Sequence, residues 1–525
     1  MKKYIFAIAA IAALMVSCTK ENNPGQDGKL SFRVSREAVG TKAELSGTNV
    51  VFSAGDKVSV FDGTSNNQFT TTTGGSTANF SGNAADVDSY VILSPYDENA
   101  SLTSASVVRI TIPVVQTATP GGVDPKALIS AGFATGTGSV QLKNAIGLVK
   151  VVVPDGLEVK DIQIAGGKGQ NIAICGTFDF NVDNMSLTVV TGQTSTVVTL
   201  VPQDGDTYIA PGTYYVAVRP KTTYDNGFTM AYVNATNQLC KRTTATALDI
   251  VRSHIVPLGT LDTVNYPAVV GRATLRYAGD APQFTGLIKQ LAGGDGVANT
   301  TDTKIKKIVF RAHSLYSQAY KGGGNVISNG PNTDVQIHAW IEGTTAYVYT
   351  EAPIITLYSA SNNLFRDFGA LEEVTFNDVN AMANTTFDYM FRNCNSLKKV
   401  DFGDADFSNV LYYTNMFFNL PALEYIDFGQ TSVNASASTS LMMYNAANLK
   451  TLKLGPNFTL PATVTRMFDA TAIQTSLDAG EDVSKKCQLY CSQAFYDSVK
   501  DDYDDATAAY SNTYFNKHRF VLNVL

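Results

Sequence analysis

The sequence predicts a mainly β chain, with two β-sandwiches followed by a leucine-rich-repeat solenoid and a C-terminal cap. Three observations carry this. Residues 30 to 261 read as short alternating apolar runs, such as Leu30-Phe32-Val34, Tyr90-Ile92 and Val149-Val151-Val153, broken by turn signals like Pro154-Asp155-Gly156 and Ala210-Pro211-Gly212. From residue 371 an apolar pattern recurs every 26 residues. Composition agrees, since 44% hydrophobic residues with 41 Gly and 17 Pro suit a turn-rich globular chain.

The N-terminus comes first in the chain and is read as an export signal. Lys2 and Lys3 precede an apolar run from Tyr4 to Val16 that is too short for a bilayer and ends at Ser17-Cys18. Residues 1–17 are therefore expected to be cleaved as a lipoprotein signal peptide, leaving Cys18 to be acylated and to anchor the chain in lipid. Thr19, by resemblance to Gram-negative lipoproteins, points to the cell outer membrane. Residues 18–29, with Asn22-Asn23-Pro24-Gly25, are expected to be a tether.

Alternation and turn spacing divide the next stretch into one sandwich over 30–145 and another over 146–263. Its motifs occur in a definite order: Thr41-Lys42-Ala43, Phe52-Ser53-Ala54-Gly55-Asp56-Lys57-Val58, Phe80-Ser81-Gly82, Leu93-Ser94-Pro95-Tyr96, then Ile112-Pro113 with Gln116. Asn144-Ala145-Ile146-Gly147-Leu148, Ile162-Gln163-Ile164 and Gly212-Thr213-Tyr214-Tyr215 follow. This series resembles the fimbrillin-like lipoproteins of Gram-negative anaerobes. The resemblance implies transthyretin-like sandwiches and fimbrial subunits as partners. It also implies processing by an Arg-directed protease, for which Arg33 and Arg36 stand at the matching place; ordinary exposure on a first strand is the alternative reading of both.

Residues 264–344 form an entry module, with Trp340 in an apolar setting that suits a core. The repeats occupy 345–475. Leu371, Leu397, Leu423 and Leu449 open four units; Val374, Val400, Ile426 and Leu452 take the fourth position, and Phe376, Phe402, Phe428 and Leu454 the sixth. Met390-Phe391, Met416-Phe417 and Met442-Met443 recur at positions twenty and twenty-one. Each unit can hide such residues only by stacking on its neighbours. The pattern resembles the BspA-type leucine-rich-repeat surface proteins. Residues 476–525 are expected to cap the open end with a helix near Gln493 and a strand at Phe520-Val521-Leu522.

If positions four and six point inward, three and five point out. Stacking then places Glu373, Lys399, Tyr425 and Thr451 in one column and Thr375, Asp401, Asp427 and Lys453 in the next. Asp401, Tyr425, Asp427, Lys453 and Lys399 are the candidate ligand-binding residues, because neighbouring like charges mark a local conflict of the kind found at functional sites. The alternative is a solvated patch in which Lys399 and Lys453 offset the carboxylates.

Several functions are disfavoured. A net charge of −7 without a basic block argues against nucleic acid. No nucleophile elbow, P-loop or zincin helix occurs, so no enzyme and no cofactor are expected. The four histidines, His254, His313, His338 and His518, lack ligand spacing, and no metal is expected. Gly166-Gly167-Lys168-Gly169 reads as a turn and Asp501-Asp502-Tyr503-Asp504-Asp505 as a solvated acidic patch. Cys175, Cys240, Cys394, Cys487 and Cys491 are odd in number, so any pairing leaves at least one thiol free; Cys487 and Cys491 fall on one face if that segment is helical. The expected function is a lipid-anchored, surface-exposed adhesin whose repeats bind a host or bacterial surface glycan or protein. A fimbrial structural or tip subunit and a polysaccharide-capture lipoprotein are the alternatives.

Overall fold

The structure, a computed structural model, describes residues 29–37, 51–166, 172–225, 227–244, 246–275, 284–316, 326–328, 332–434, 436–446, 448–460, 467, 486–504, 515, 517 and 519–525. Cys18, Thr41 to Ala43, His518, Gly167 to Gly169 and Asp505 lie outside these. The chain is mainly β.

The first unit, expected as a sandwich, is a closed seven-stranded barrel. Leu30–Arg36 closes it, running antiparallel to Thr77–Gly82 on one side and parallel to Ser139–Asn144 on the other. Closure removes the open edges that a two-sheet arrangement would keep. Alternation places Phe32 and Val34 inside with Phe69, Phe80 and Tyr90; Tyr90 meets Phe32 edge to face, Phe69 meets it at a tilt, and Phe80 packs edge to face on Phe52.

The second unit takes strands from before its expected start. Ser101–Ser104 and Val107–Ile112 extend a sheet with Cys175–Asn181 and Ser186–Ser195, and Val115–Thr117 pairs with Val197–Val201. Gln116 shows why this crossing is specific. Its buried amide donates to Ala217 O at 2.8 Å and accepts from Ala217 N at 2.9 Å, acting as a rung between two sheets. One apolar core consequently runs from Phe61 and Leu93 into Val149, Ile162 and Phe178.

From Ala273 to Phe520 a single core underlies the entry module, the 26-residue units and the cap. Their shared sheet has nine strands among the described residues, in the order Ile337–Glu342, Thr345–Thr350, Lys307–Arg311, Glu373–Thr375, Lys399–Asp401, Tyr425–Asp427, Thr451–Lys453, Cys487–Cys491 and Phe520–Val524. All neighbours are parallel except the first pair. The 26-residue step holds the register, with Val374, Val400, Ile426 and Leu452 side by side and fully buried. Beneath them Phe376, Phe402 and Phe428 stack at 5.2–5.3 Å, and Phe365, Phe391 and Phe417 form a second stack at 5.1 and 5.5 Å. Cys394 sits among these rings as a filler, and burial pushes its thiol up to about 12.

Cys487 and Cys491 lie on a strand rather than a helix, both side chains buried on its inner face. All five described cysteines are free thiols. The cap also contains the helix Gln493–Asp504. The second unit is joined to the sheet by Lys241 with Glu351, by Arg311 with Asp161, and by Gln163, which donates to His313 O at 3.0 Å and accepts from Leu315 N at 2.8 Å. Trp340 is core-like as expected, stacked between Tyr316 and Tyr347.

Candidate functional site

The outer face of the parallel sheet is built from side chains at the two outward positions. Lys307, Glu373, Lys399, Tyr425, Thr451 and Gln488 line one column, and Val309, Thr375, Asp401, Asp427, Lys453 and Tyr490 the next. The structure therefore brings all five candidate ligand-binding residues together. Asp401 and Asp427 are direct neighbours in the ladder.

Their charges are compensated locally. Asp401 Oδ1 accepts from Gly403 N at 3.1 Å and Asp427 Oδ1 from Gly429 N at 2.9 Å, so each carboxylate is turned onto its own backbone. Lys399 lies 3.4 Å from Asp401 and 3.7 Å from Glu373, and Lys453 lies 3.5 Å from Asp427. Tyr425 donates to Asp427 Oδ2 at 2.8 Å while both lysines approach its ring at 5.4 Å. Burial pushes the Tyr425 phenol up, keeping it a donor. Burial opposes the Lys399 charge, but Asp401 and Glu373 outweigh it and raise the pKa. The hydrogen bond that Lys453 donates to the Tyr425 oxygen leads the same upward shift at Lys453. Carboxylate repulsion, the conflict expected at this face, is thus offset by two cations and two backbone donors.

A second column follows the same logic at the strand entrances, where Lys306 and Lys398 clasp Glu372 at 3.0 and 2.8 Å and Lys450 meets Glu424 at 2.8 Å.

Arg33 and Arg36 differ in setting. Both belong to the barrel's closing strand, paired on each side. The Arg33 side chain is exposed, whereas that of Arg36 is covered, donating to Ser94 Oγ at 2.6 Å and lying 4.5 Å over the Phe52 ring. Burial lowers its pKa to about 10. Cleavage at either residue requires this strand to leave the barrel, because a protease needs the backbone that both neighbours occupy.

The turn edge of the repeats holds a feature that sequence reasoning missed. Tyr389, Arg392, Asn393, Phe418 and Asn419 line a groove of about 440 Å³. Tyr389 is 38% exposed, and its ring meets Phe418 at 66° and 5.9 Å. Tyr444 backs Phe418 in a near-parallel stack at 4.8 Å. The available signal was the series Arg366, Arg392, Phe418, Tyr444, one 26-residue step apart, in which aromatics take a repeat position that the core does not claim.

Among the described residues, no group of His, Cys, Asp and Glu is placed to hold a metal, and no helix is long and apolar enough to cross a membrane.

No family model matches the chain, and no curated protein does. Solved structures resemble it weakly. One described as a candidate cell adhesion protein from Bacteroides uniformis is 15% identical, spans 46% of this chain and 96% of its own, and gives a TM-score of 0.30. A fimbrial protein from Bacteroides ovatus is 12% identical over 48% of this chain and 55% of its own, with a TM-score of 0.24. A fimbrial assembly protein from Parabacteroides distasonis is 11% identical over 45% and 93%, with a TM-score of 0.21.

Proposed function

We propose that this chain is a non-enzymatic surface adhesin, anchored in the outer membrane through acylated Cys18, whose repeats form a leucine-rich-repeat solenoid of the BspA kind that contacts a saccharide or protein. The observation that carries this reading is the sheet itself: a stiff apolar stack with its polar and aromatic side chains displayed in ordered outward columns. A rigid scaffold of this sort keeps contact groups in place without an enclosed reaction chamber. The thiols support the non-enzymatic part, since burial raises Cys175 and Cys487 to about 12 and leaves them poor nucleophiles.

Screening the whole mature chain on a glycan array and on epithelial and bacterial cell layers tests the function. Retention is the expected result; no retention on any of them removes the adhesin reading. Asp401→Asn with Asp427→Asn keeps a side-chain oxygen to accept from Gly403 N and from Gly429 N and is expected to hold stability within about 1 kcal/mol, as partly exposed ion pairs contribute little. Loss of retention in that variant assigns the ligand to the sheet face, and parent-like retention moves it to the turn edge. Anchoring has its own test: Cys18→Ser is expected to abolish incorporation of an alkyne fatty acid, and equal labelling of variant and parent rejects lipidation there.

A further inference from the structure

At the turn edge, the residue nineteen places into each unit adopts a left-handed backbone. Asn363, Tyr389, Asn415 and Leu441 have φ of 58°, 52°, 56° and 54°. Asparagine tolerates this conformation because its short amide bonds locally; a bulky aromatic does not, and is a true outlier there. Two units use asparagine, and Leu441 shares the strain with a half-buried side chain. The unit with Tyr389 carries a backbone cost that Asn would relieve, and gives that position an exposed ring instead. Strain of this kind that persists on a surface side chain, where core packing does not demand it, points to use.

The neighbouring cation is the second independent observation. One step earlier, Arg366 is neutralised by the residue that follows it, Asp367, at 2.9 Å. At the equivalent place Arg392 is followed by Asn393, whose amide donates to Asp367 at 2.6 Å. Among the described residues Arg392 has no carboxylate partner. Its guanidinium lies 6.0 Å from the Tyr389 ring, at the groove. Asn419 Oδ1 accepts from Asn445 Nδ2 at 2.7 Å, which orients the Asn419 amide beside it.

We propose that the Tyr389–Arg392–Phe418 groove binds a carboxylate-bearing sugar residue, its ring packed against the aromatic walls and its acid group held by Arg392; this rests on the adhesin reading above and names its ligand class. The volume falls within the range of small-ligand sites, roughly 300–1,000 Å³. Tilted aromatic walls take the apolar face of a sugar ring. A guanidinium selects a planar carboxylate over a neutral hydroxymethyl or ester through paired, charge-assisted hydrogen bonds.

Isothermal titration of the whole mature chain with tetragalacturonate and with its fully methyl-esterified form tests this. The acid form is expected to bind at least tenfold more tightly than the ester, with the gap narrowing as salt rises. Arg392→Gln should erase that gap. Tyr389→Asn should abolish binding of both while the melting temperature stays equal or rises, because the variant restores the residue found at positions 363 and 415. Equal binding of acid and ester, binding of neither by the parent, or parent-like binding by Tyr389→Asn overturns the proposal. Array or cell retention that survives Tyr389→Asn overturns this site alone and leaves the adhesin reading standing; its absence in the parent removes both.

Discussion

Gly429→Ala is expected to unravel the parallel stack locally, at a cost of about 2–5 kcal/mol, summing a left-handed alanine with overpacking against a fixed neighbour. A Cβ at Gly429 would stand 1.7 Å from Gly403 O and 2.6 Å from Gly403 C, and the residue sits at φ +52°. The obstacle is backbone of the preceding unit, not the end of a flexible side chain, so relief requires the units to separate. Gly403 O is also the acceptor for Gln430 N at 2.8 Å, and separation breaks that bond. Gly455 repeats the arrangement one step on, 1.9 Å from Gly429 O. Gly343→Ala is the control, at φ +58° with nothing within 4 Å of the new atom. It carries only the conformational penalty, about 1–2 kcal/mol. Hydrogen exchange across 397–432 should rise sharply in the first variant and stay near parent in the second. Equal destabilisation in both would mean that backbone conformation, and not the close approach of the units, sets the requirement for glycine.

Lys289→Met is expected to detach the entry helix, Phe284–Leu291, from the repeat unit that holds Leu364 and Arg366 at a cost of about 3–5 kcal/mol, the usual effect of removing one partner from a buried charged network. Lys289 is 2% exposed and its ammonium donates to Ala298 O, Thr300 O and Arg366 O at 2.7, 2.8 and 2.9 Å. Methionine matches the length and packing, so the loss isolates three carbonyls left without a donor. Burial lowers the Lys289 pKa below the ordinary lysine value of 10.5, and Asp367 and Asp302 only partly oppose that. The unfolded chain then holds this proton more tightly than the folded one. Stability from this group accordingly rises as pH climbs through the folded pKa toward 10.5, and Lys289→Met removes that slope. Lys304→Met, whose exposed amine meets Ala292 O at 2.9 Å, should stay within about 0.5 kcal/mol of the parent. Guanidinium titrations followed by exchange in 284–316 distinguish the two; a parent-like midpoint for Lys289→Met would show that the helix is held by Phe284 and Ile288 alone.

Much of the repeat region was legible in advance because a parallel stack with constant step turns sequence periodicity directly into spatial neighbours. Leu371, Val374 and Phe376 with their successors named the core, and the alternation between them named the outward columns of Glu373, Lys399, Tyr425 and of Thr375, Asp401, Asp427. Alternation also identified strands between residues 30 and 261, among them those of Phe32, Tyr90 and Val149, since period two depends on the backbone alone. Pairing was another matter. Closure of the barrel by Leu30–Arg36, and the transfer of residues 101–117 into the second unit's sheets, join segments distant in the chain, and nothing in local pattern encodes which edges meet. Charge balance at Asp401 and Asp427 likewise depended on where flexible lysine chains and two glycine amides come to rest. The groove at Tyr389 was hidden for a related reason: its strain is a backbone angle, and the missing partner of Arg392 is visible only once Asn393 is seen to reach across to Asp367. Periodicity determined what is buried and what is displayed, because burial follows the repeat of the backbone; the tertiary structure decided which displayed groups satisfy one another and which are left to meet a ligand.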